Sequence, residues 1–176
     1  MKAAVSTETD LARRRLSPFL EDAARDLDAV VRLRDEIRDV VQGHDAGLPD
    51  RAKAALLAVA LHGYYGAAES FAMRVARTFD GGLPEGPDWH RQLLDWMIRD
   101  LPEERPALLS KDAGDLLRRL LAFRHFFRHA YGVTLDLGEL EGHGRAVLDT
   151  DRIVRADLQG FLDHVRRMRA ALDPPR

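Results

Sequence analysis

The chain has 176 residues, a hydrophobic content of 45% and a formal net charge of -2. This length suits one domain with a substantial core, and the near-neutral charge means that any nucleic acid must bind a local basic patch. The absence of cysteine excludes disulfides, thiolate zinc sites and cysteine nucleophiles. No signal-peptide pattern opens the chain, and no run approaches the roughly 18 apolar residues of a membrane span. These features predict a soluble cytoplasmic protein without a membrane anchor.

The first half of the chain predicts two long helices. Apolar residues recur at steps of three and four over residues 9–42, interrupted by Arg34, which indicates one amphipathic helix. Gly43 marks its end, and Pro49 and Asp50 mark the start of the next helix, over residues 51–79. The stretch DGGLPEGPD that follows, residues 80–88, carries the strongest loop signal of the sequence.

The second half predicts one short and two longer helices. Asp88 is the expected cap of a short helix from Trp89, and Ser110 that of a helix over residues 111–131. The stretch VTLDL after Gly132 is the only plausible extended piece. A last helix is expected from Thr150 or Asp151, so that residues 1–176 form a single all-α bundle of four main helices and one short helix.

The usual catalytic and metal-binding signatures are missing. No histidine follows a glutamate by three residues, as a di-iron bundle requires, and the pair His125 and His129 lacks an evident third metal ligand. His44 and His143 lie among glycines and are interpreted as solvated loop residues. The sequence also contains no GxSxG, Walker or GxGxxG motif. We therefore expect no metal and no cofactor, and any chemistry must come from the stretch RHFFRHAYG at residues 124–132.

On a helical wheel this stretch separates into three arcs. Phe123, Phe126 and Phe127 are expected to face the core; Arg124, Arg128 and Tyr131 form a second arc, and His125 and His129 a third. Arg124 and His129 lie about 140° apart on an ideal helix, so one straight helix does not direct both at the same atom. Either the helix distorts near Gly132 or a second copy of the chain completes the cleft.

An arginine fork beside a histidine suits the cleavage of RNA. The substrate supplies its own nucleophile, the 2′-hydroxyl, so the protein only has to move protons and neutralise the phosphate. Histidine titrates near neutrality, and arginine binds two phosphate oxygens at once. The same residues also fit a solvated cationic helix face, and taken alone they favour that interpretation.

The spacing Arg124, four residues, His129, one residue, Tyr131 resembles the motif of HepT-type toxins of the HEPN superfamily. The segments LHGYYGAAESFAMRVARTFDGGLPEGPDWHRQLL and FRHFFRHAYGVTLDL extend the resemblance over about residues 55–170. The resemblance implies a HEPN-type helical bundle that acts as a metal-independent ribonuclease toxin. It also implies a homodimer in which the motif helices face each other, and a nucleotidyltransferase as the antitoxin partner.

Carried over to this chain, the resemblance makes Arg124 and His129 the catalytic pair and Tyr131 the tyrosine that the partner can nucleotidylate. His125 and Arg128 repeat the chemistry one step to either side, as supporting or substrate-binding residues or as an alternative working pair. Two other functions remain open: a non-catalytic HEPN module that binds and regulates a nucleotidyltransferase, and an unrelated helical scaffold with a chance motif.

Overall fold

The computed structural model is all-α, as predicted, and describes residues 2–44, 47–102, 104–129 and 134–172, with side chains from residue 10 onward. Four long helices and one short helix follow each other along the chain. They are α1 (Lys2–Val41), α2 (Asp50–Phe79), α3 (Trp89–Met97), α4 (Lys111–His129) and α5 (Leu137–Ala171). The first three helices of the prediction have the expected order and type, although α1 begins earlier than expected.

Helix α2 lies at the centre of the bundle and contacts each of the other four helices. Its small and aromatic residues are buried on several faces, and the largest of them, Tyr64, Tyr65 and Phe71, are at most 1% exposed. Helix α1 packs on α2 and α5, whereas α4 packs on α2, α3 and α5. The C-terminal half of α4 therefore lies beside the middle of α2 and close to α3.

Ser110 starts α4 as predicted, but Asp88 does not cap α3. The Ser110 hydroxyl accepts a hydrogen bond from the backbone N–H of Ala113 at 3.4 Å. The Asp88 side chain instead pairs with Arg91, at 3.1 Å, and makes no capping hydrogen bond. Asp88 therefore marks the start of α3, but its side chain satisfies none of the backbone N–H groups of the helix.

The expected start of the last helix was wrong by about four turns. Helix α5 begins at Leu137, after the Asp136 carboxylate accepts a hydrogen bond from the backbone N–H of Glu139 at 2.8 Å. Its first turns look like a loop in the sequence because they contain three glycines. Gly144 is needed for close packing, since a Cβ atom there would lie 2.6 Å from Val41 Cγ2 on α1. His143 accordingly lies in a helix, half-buried against the ring of Phe123.

The predicted extended stretch VTLDL forms no strand in its described part: residues 134–136 have no regular secondary structure, and Leu137 begins α5. None of the helices in the described part of the chain combines the length and the apolar character that crossing a membrane requires.

Candidate active site

The motif predicted from the sequence lies in the last turns of α4. The helix buries Leu120 and Phe123 and packs Phe127 against the core, and this places the intervening polar residues on the remaining faces. His125, Arg128 and His129 are exposed. Tyr131 lies outside the described residues. Phe126 was expected in the core but is 51% exposed, because its direction from the helix axis falls outside the buried arc.

Arg124 is the most buried polar residue of the motif, with only 14% of its side chain exposed. Its Nη2 atom lies 3.8 Å from Glu69 Oε2, and its Nη1 atom lies 3.4 Å from His90 Nε2. The guanidinium carbon also lies 5.8 Å from the centre of the Tyr65 ring. Arg124 is thus surrounded by residues of α2 and α3.

The Glu69 carboxylate is 9% exposed and is the centre of this cluster. Its Oε1 atom accepts a hydrogen bond from the Tyr65 hydroxyl at 2.7 Å and lies 2.5 Å from His90 Nδ1. A carboxylate only accepts, so Nδ1 of His90 carries the proton that it donates to Glu69. In neutral His90 the Nε2 atom is then an acceptor, which matches the Arg124 N–H group that faces it.

Tyr65 keeps its proton in this environment. Burial raises the pKa of the Tyr65 hydroxyl well above its ordinary value, the charge and the hydrogen bond of Glu69 raise it further, and Arg124 opposes them. The hydroxyl is therefore a permanent donor to Glu69 at neutral pH. The Tyr65 ring, in turn, offers its face to the Arg124 cation.

His129 has the geometry of a general base. Its Nδ1 atom lies 2.8 Å from the backbone carbonyl oxygen of His125, one turn earlier. Because a carbonyl oxygen only accepts, Nδ1 carries the proton, and in the neutral ring Nε2 keeps a lone pair. The side chain is exposed, so this lone pair is open to a substrate.

His62 on α2 is a further histidine near the motif arginines. Its ring lies 5.7 Å from that of Phe127. Burial lowers the pKa of His62 below its ordinary value, and the positive charges of Arg124 and Arg128 lower it further, while Glu69 opposes them. His62 is therefore mostly neutral at pH 7.

The structure brings only part of the predicted site together. Arg124 and His125 both approach His90, since the His125 and His90 rings lie 6.1 Å apart. Among the described residues no hydrogen bond joins Arg124 to His129, as the helical wheel predicted. In the same part of the chain, no three His, Asp or Glu side chains gather where they could hold a metal ion.

Sequence reasoning missed Tyr65, Glu69 and His90. The first two follow His62 at steps of three and four, so a polar stripe along the otherwise apolar α2 was a usable signal. His90 carried no such signal, because it is brought to the site by the loop between α2 and α3.

The sequence and the site agree with one family. The family model for HepT-like proteins matches residues 56–165, which include α3, α4 and most of α2 and α5. Comparisons with curated proteins and with solved structures find no match. The family match covers more than half of the chain and includes Glu69, His90 and the Arg124–His129 motif. This protein therefore belongs to the HepT-like family of the HEPN superfamily.

Proposed function

We propose that this protein is a metal-independent endoribonuclease and the toxin of a toxin–antitoxin system. His129 Nε2 takes the proton from a ribose 2′-hydroxyl, and the 2′-oxygen forms a bond to phosphorus. The bond to the 5′-oxygen breaks, and that oxygen takes a proton from solvent. Arg124 neutralises the charge that builds on the phosphate during this step.

The observation that carries this proposal is that Arg124 and His129, at the end of α4, both keep hydrogen-bonding capacity for a substrate. Arg124 is held beside a buried carboxylate without a direct hydrogen bond to it, so its N–H groups are not saturated by that carboxylate. His129 directs Nδ1 at a carbonyl group and leaves Nε2 open. Both residues fall within the matched region of a family that is generally ribonuclease-related.

A second copy of the chain would complete the site. Two of the three helices that carry site residues expose large apolar side chains, Leu56 and Val59 on α2 and Phe126 on α4, at 49%, 62% and 51%. Covering such surface is favourable, and a facing copy would bring its own His129 towards Arg124. Sedimentation at micromolar concentration tests the homodimer, and a monomer would contradict it.

The proposed partner in the cytoplasm is a nucleotidyltransferase antitoxin that neutralises the toxin, with Tyr131 as the nucleotidylation site. A nucleotide at this position, two residues after His129, adds negative charge that competes with the RNA phosphate for Arg124 and Arg128.

The proposal is tested by incubating purified protein with a labelled RNA in the presence of EDTA. We expect cleavage that ends in a 2′,3′-cyclic phosphate, and no cleavage of the same oligonucleotide when every 2′-hydroxyl is replaced by hydrogen. Cleavage of the deoxy substrate would contradict 2′-hydroxyl attack, and an intact RNA would contradict the ribonuclease.

One observation favours a non-catalytic module that binds and regulates a nucleotidyltransferase. Arg128 and His129 occupy the last turn of α4, where cations stabilise a helix irrespective of function, and Arg124 already has a carboxylate nearby. The same RNA assay separates the two functions, because this module would leave RNA intact while forming a stable complex with the nucleotidyltransferase.

A further inference from the structure

The cluster around Glu69 has an unusual distribution of hydrogen bonds. The two close donors to Oε1 are the Tyr65 hydroxyl, at 2.7 Å, and His90 Nδ1, at 2.5 Å. The nearby cation, Arg124, approaches only the other oxygen, and at 3.8 Å. The carboxylate is thus hydrogen-bonded through Oε1 by the Tyr65 hydroxyl and the His90 Nδ1–H group, while its charge remains available to attract the guanidinium.

The position of Arg124 depends on contacts from two other helices. Glu69 attracts Nη2 electrostatically, His90 Nε2 accepts from Nη1, and Tyr65 on α2 supplies a ring face. Burial strengthens the attraction, because Glu69 is 9% and Arg124 is 14% exposed. A long arginine side chain otherwise samples many rotamers, and a phosphate that binds it must oppose this entropy.

We propose that Glu69 and His90 are positioning residues that hold the Arg124 guanidinium in one place and leave its hydrogen-bond capacity for a phosphate. Glu69 acts by charge and also orients the His90 ring. His90 acts as the acceptor that fixes Nη1. The inference rests on the proposed ribonuclease for its effect on cleavage, but not for its effect on the Arg124 side chain.

The variants separate the two roles. Glu69→Gln keeps one oxygen that can accept from Tyr65 and His90, removes the charge and places an NH2 group where the second oxygen faces Arg124. His90→Phe keeps the ring beside Trp89, whose centre lies 3.7 Å from that of His90, and removes both nitrogens. His90→Gln places an amide oxygen where Nε2 stood and is the conservative rescue. Asp151→Asn and Tyr64→Phe are matched controls, because they alter a similar tyrosine–carboxylate pair that has no contact with Arg124 among the described residues.

The first readout is the order of the Arg124 side chain in solution, measured as the heteronuclear NOE of its Nε–H group. The signal is assigned by its loss in Arg124→Lys. We expect an ordered side chain in the wild type and both controls, a mobile one in Glu69→Gln and His90→Phe, and recovery in His90→Gln. An equally ordered Arg124 in Glu69→Gln and His90→Phe would overturn the proposal, whether or not the protein cleaves RNA.

The second readout is RNA cleavage, split into kcat and KM. A displaced guanidinium should lower kcat by about 10²-fold in Glu69→Gln and His90→Phe, while His90→Gln and the controls stay close to the wild type. Unchanged kcat in an active enzyme would refute positioning. A wild type that leaves RNA intact but shows the expected side-chain order would refute the ribonuclease and support the positioning role.

Discussion

Two consecutive tyrosines of α2 donate to two buried carboxylates in different parts of the bundle. The Tyr64 hydroxyl donates to Asp151 Oδ1 at 3.2 Å, and the Tyr65 hydroxyl donates to Glu69 Oε1 at 2.7 Å. Both carboxylates also have an arginine close by. The two clusters therefore share their chemical groups and differ in how these groups are connected.

In the Asp151 cluster the arginine is bonded directly to the carboxylate. Arg155 Nε donates to Asp151 Oδ2 at 2.6 Å, and Arg34 Nε lies 3.9 Å from the same oxygen, which explains why an arginine interrupts the apolar seam of α1. These contacts join α1, α2 and α5. Because its carboxylate is bound directly by an arginine and its contacts hold three helices together, we interpret this cluster as structural.

In the Glu69 cluster a histidine stands between the carboxylate and the arginine. His90 Nδ1 makes the short hydrogen bond to Glu69 Oε1, whereas Arg124 Nη2 lies 3.8 Å from Glu69 Oε2. We propose that Arg124 is left available for a ligand because other donors occupy the Glu69 carboxylate. Substitutions in the two clusters should consequently affect different properties of the protein.

The largest expected effect is on cleavage, from His129→Ala. Loss of the general base should lower the rate by about 10²–10⁴-fold and leave the melting temperature nearly unchanged, because the side chain is exposed. His44→Ala, at another exposed histidine, is the control. Full activity in His129→Ala would instead direct attention to His125 with Arg128.

Arg124→Lys should lower cleavage by about 10-fold to 10²-fold, because an ammonium group cannot replace a planar fork that binds two phosphate oxygens. Arg155→Lys is the matched change in the Asp151 cluster and should retain activity. Steady-state rates of the two variants measure the difference. Equal losses in both would mean that the two arginines act through stability alone.

Asp151→Asn should lower the free energy of unfolding by about 2 kcal/mol, since it removes the charge that Arg155 binds directly. Glu69→Gln should cost less, because the glutamine keeps the hydrogen bonds and Arg124 contributes only a longer contact. Urea unfolding of the two variants at pH 7 gives both values. A larger loss in Glu69→Gln would assign the structural role to the wrong cluster.

Tyr131→Phe should change cleavage little but abolish nucleotidylation. The chain has three tyrosines, and the hydroxyls of Tyr64 and Tyr65 are buried, hydrogen-bonded and kept protonated by raised pKa values. Intact-mass measurement after co-expression with the nucleotidyltransferase tests this prediction. A nucleotide-sized gain in mass that persists in Tyr131→Phe would place the modification elsewhere.

The smallest expected effect is on the titration of His62. Removing the positive charge in Arg124→Gln should raise the pKa of His62 slightly towards its ordinary value, while burial, the larger cause of the lowering, remains. Arg155→Gln should have no effect. NMR titration of the His62 ring measures the change, and an unaltered pKa would mean that Arg124 does not act on this ring in solution.

Local periodicity was sufficient to predict the helices that carry a continuous apolar stripe. Helices α1, α2 and α4 were predicted from apolar residues at steps of three and four. Ser110 marked the start of α4 because its hydroxyl binds the backbone N–H of Ala113, only three residues later. The pair Arg124 and His129 was also visible, since its spacing lies within one helix. These features depend on residues close together in the sequence.

The start of α5 and the surroundings of Arg124 required the tertiary structure. The glycine at position 144 made this part of α5 look like a loop in the sequence. Its reason is the close approach of α5 to Val41 on α1, which local sequence rules do not describe. Glu69 and His90 lie 55 and 34 positions before Arg124 in the chain, and only the packing of α2, α3 and α4 brings them within 4 Å of its guanidinium. A buried charge selects its partners by distance in space, so the sequence determined which helix carries the arginine and the fold decided what holds it.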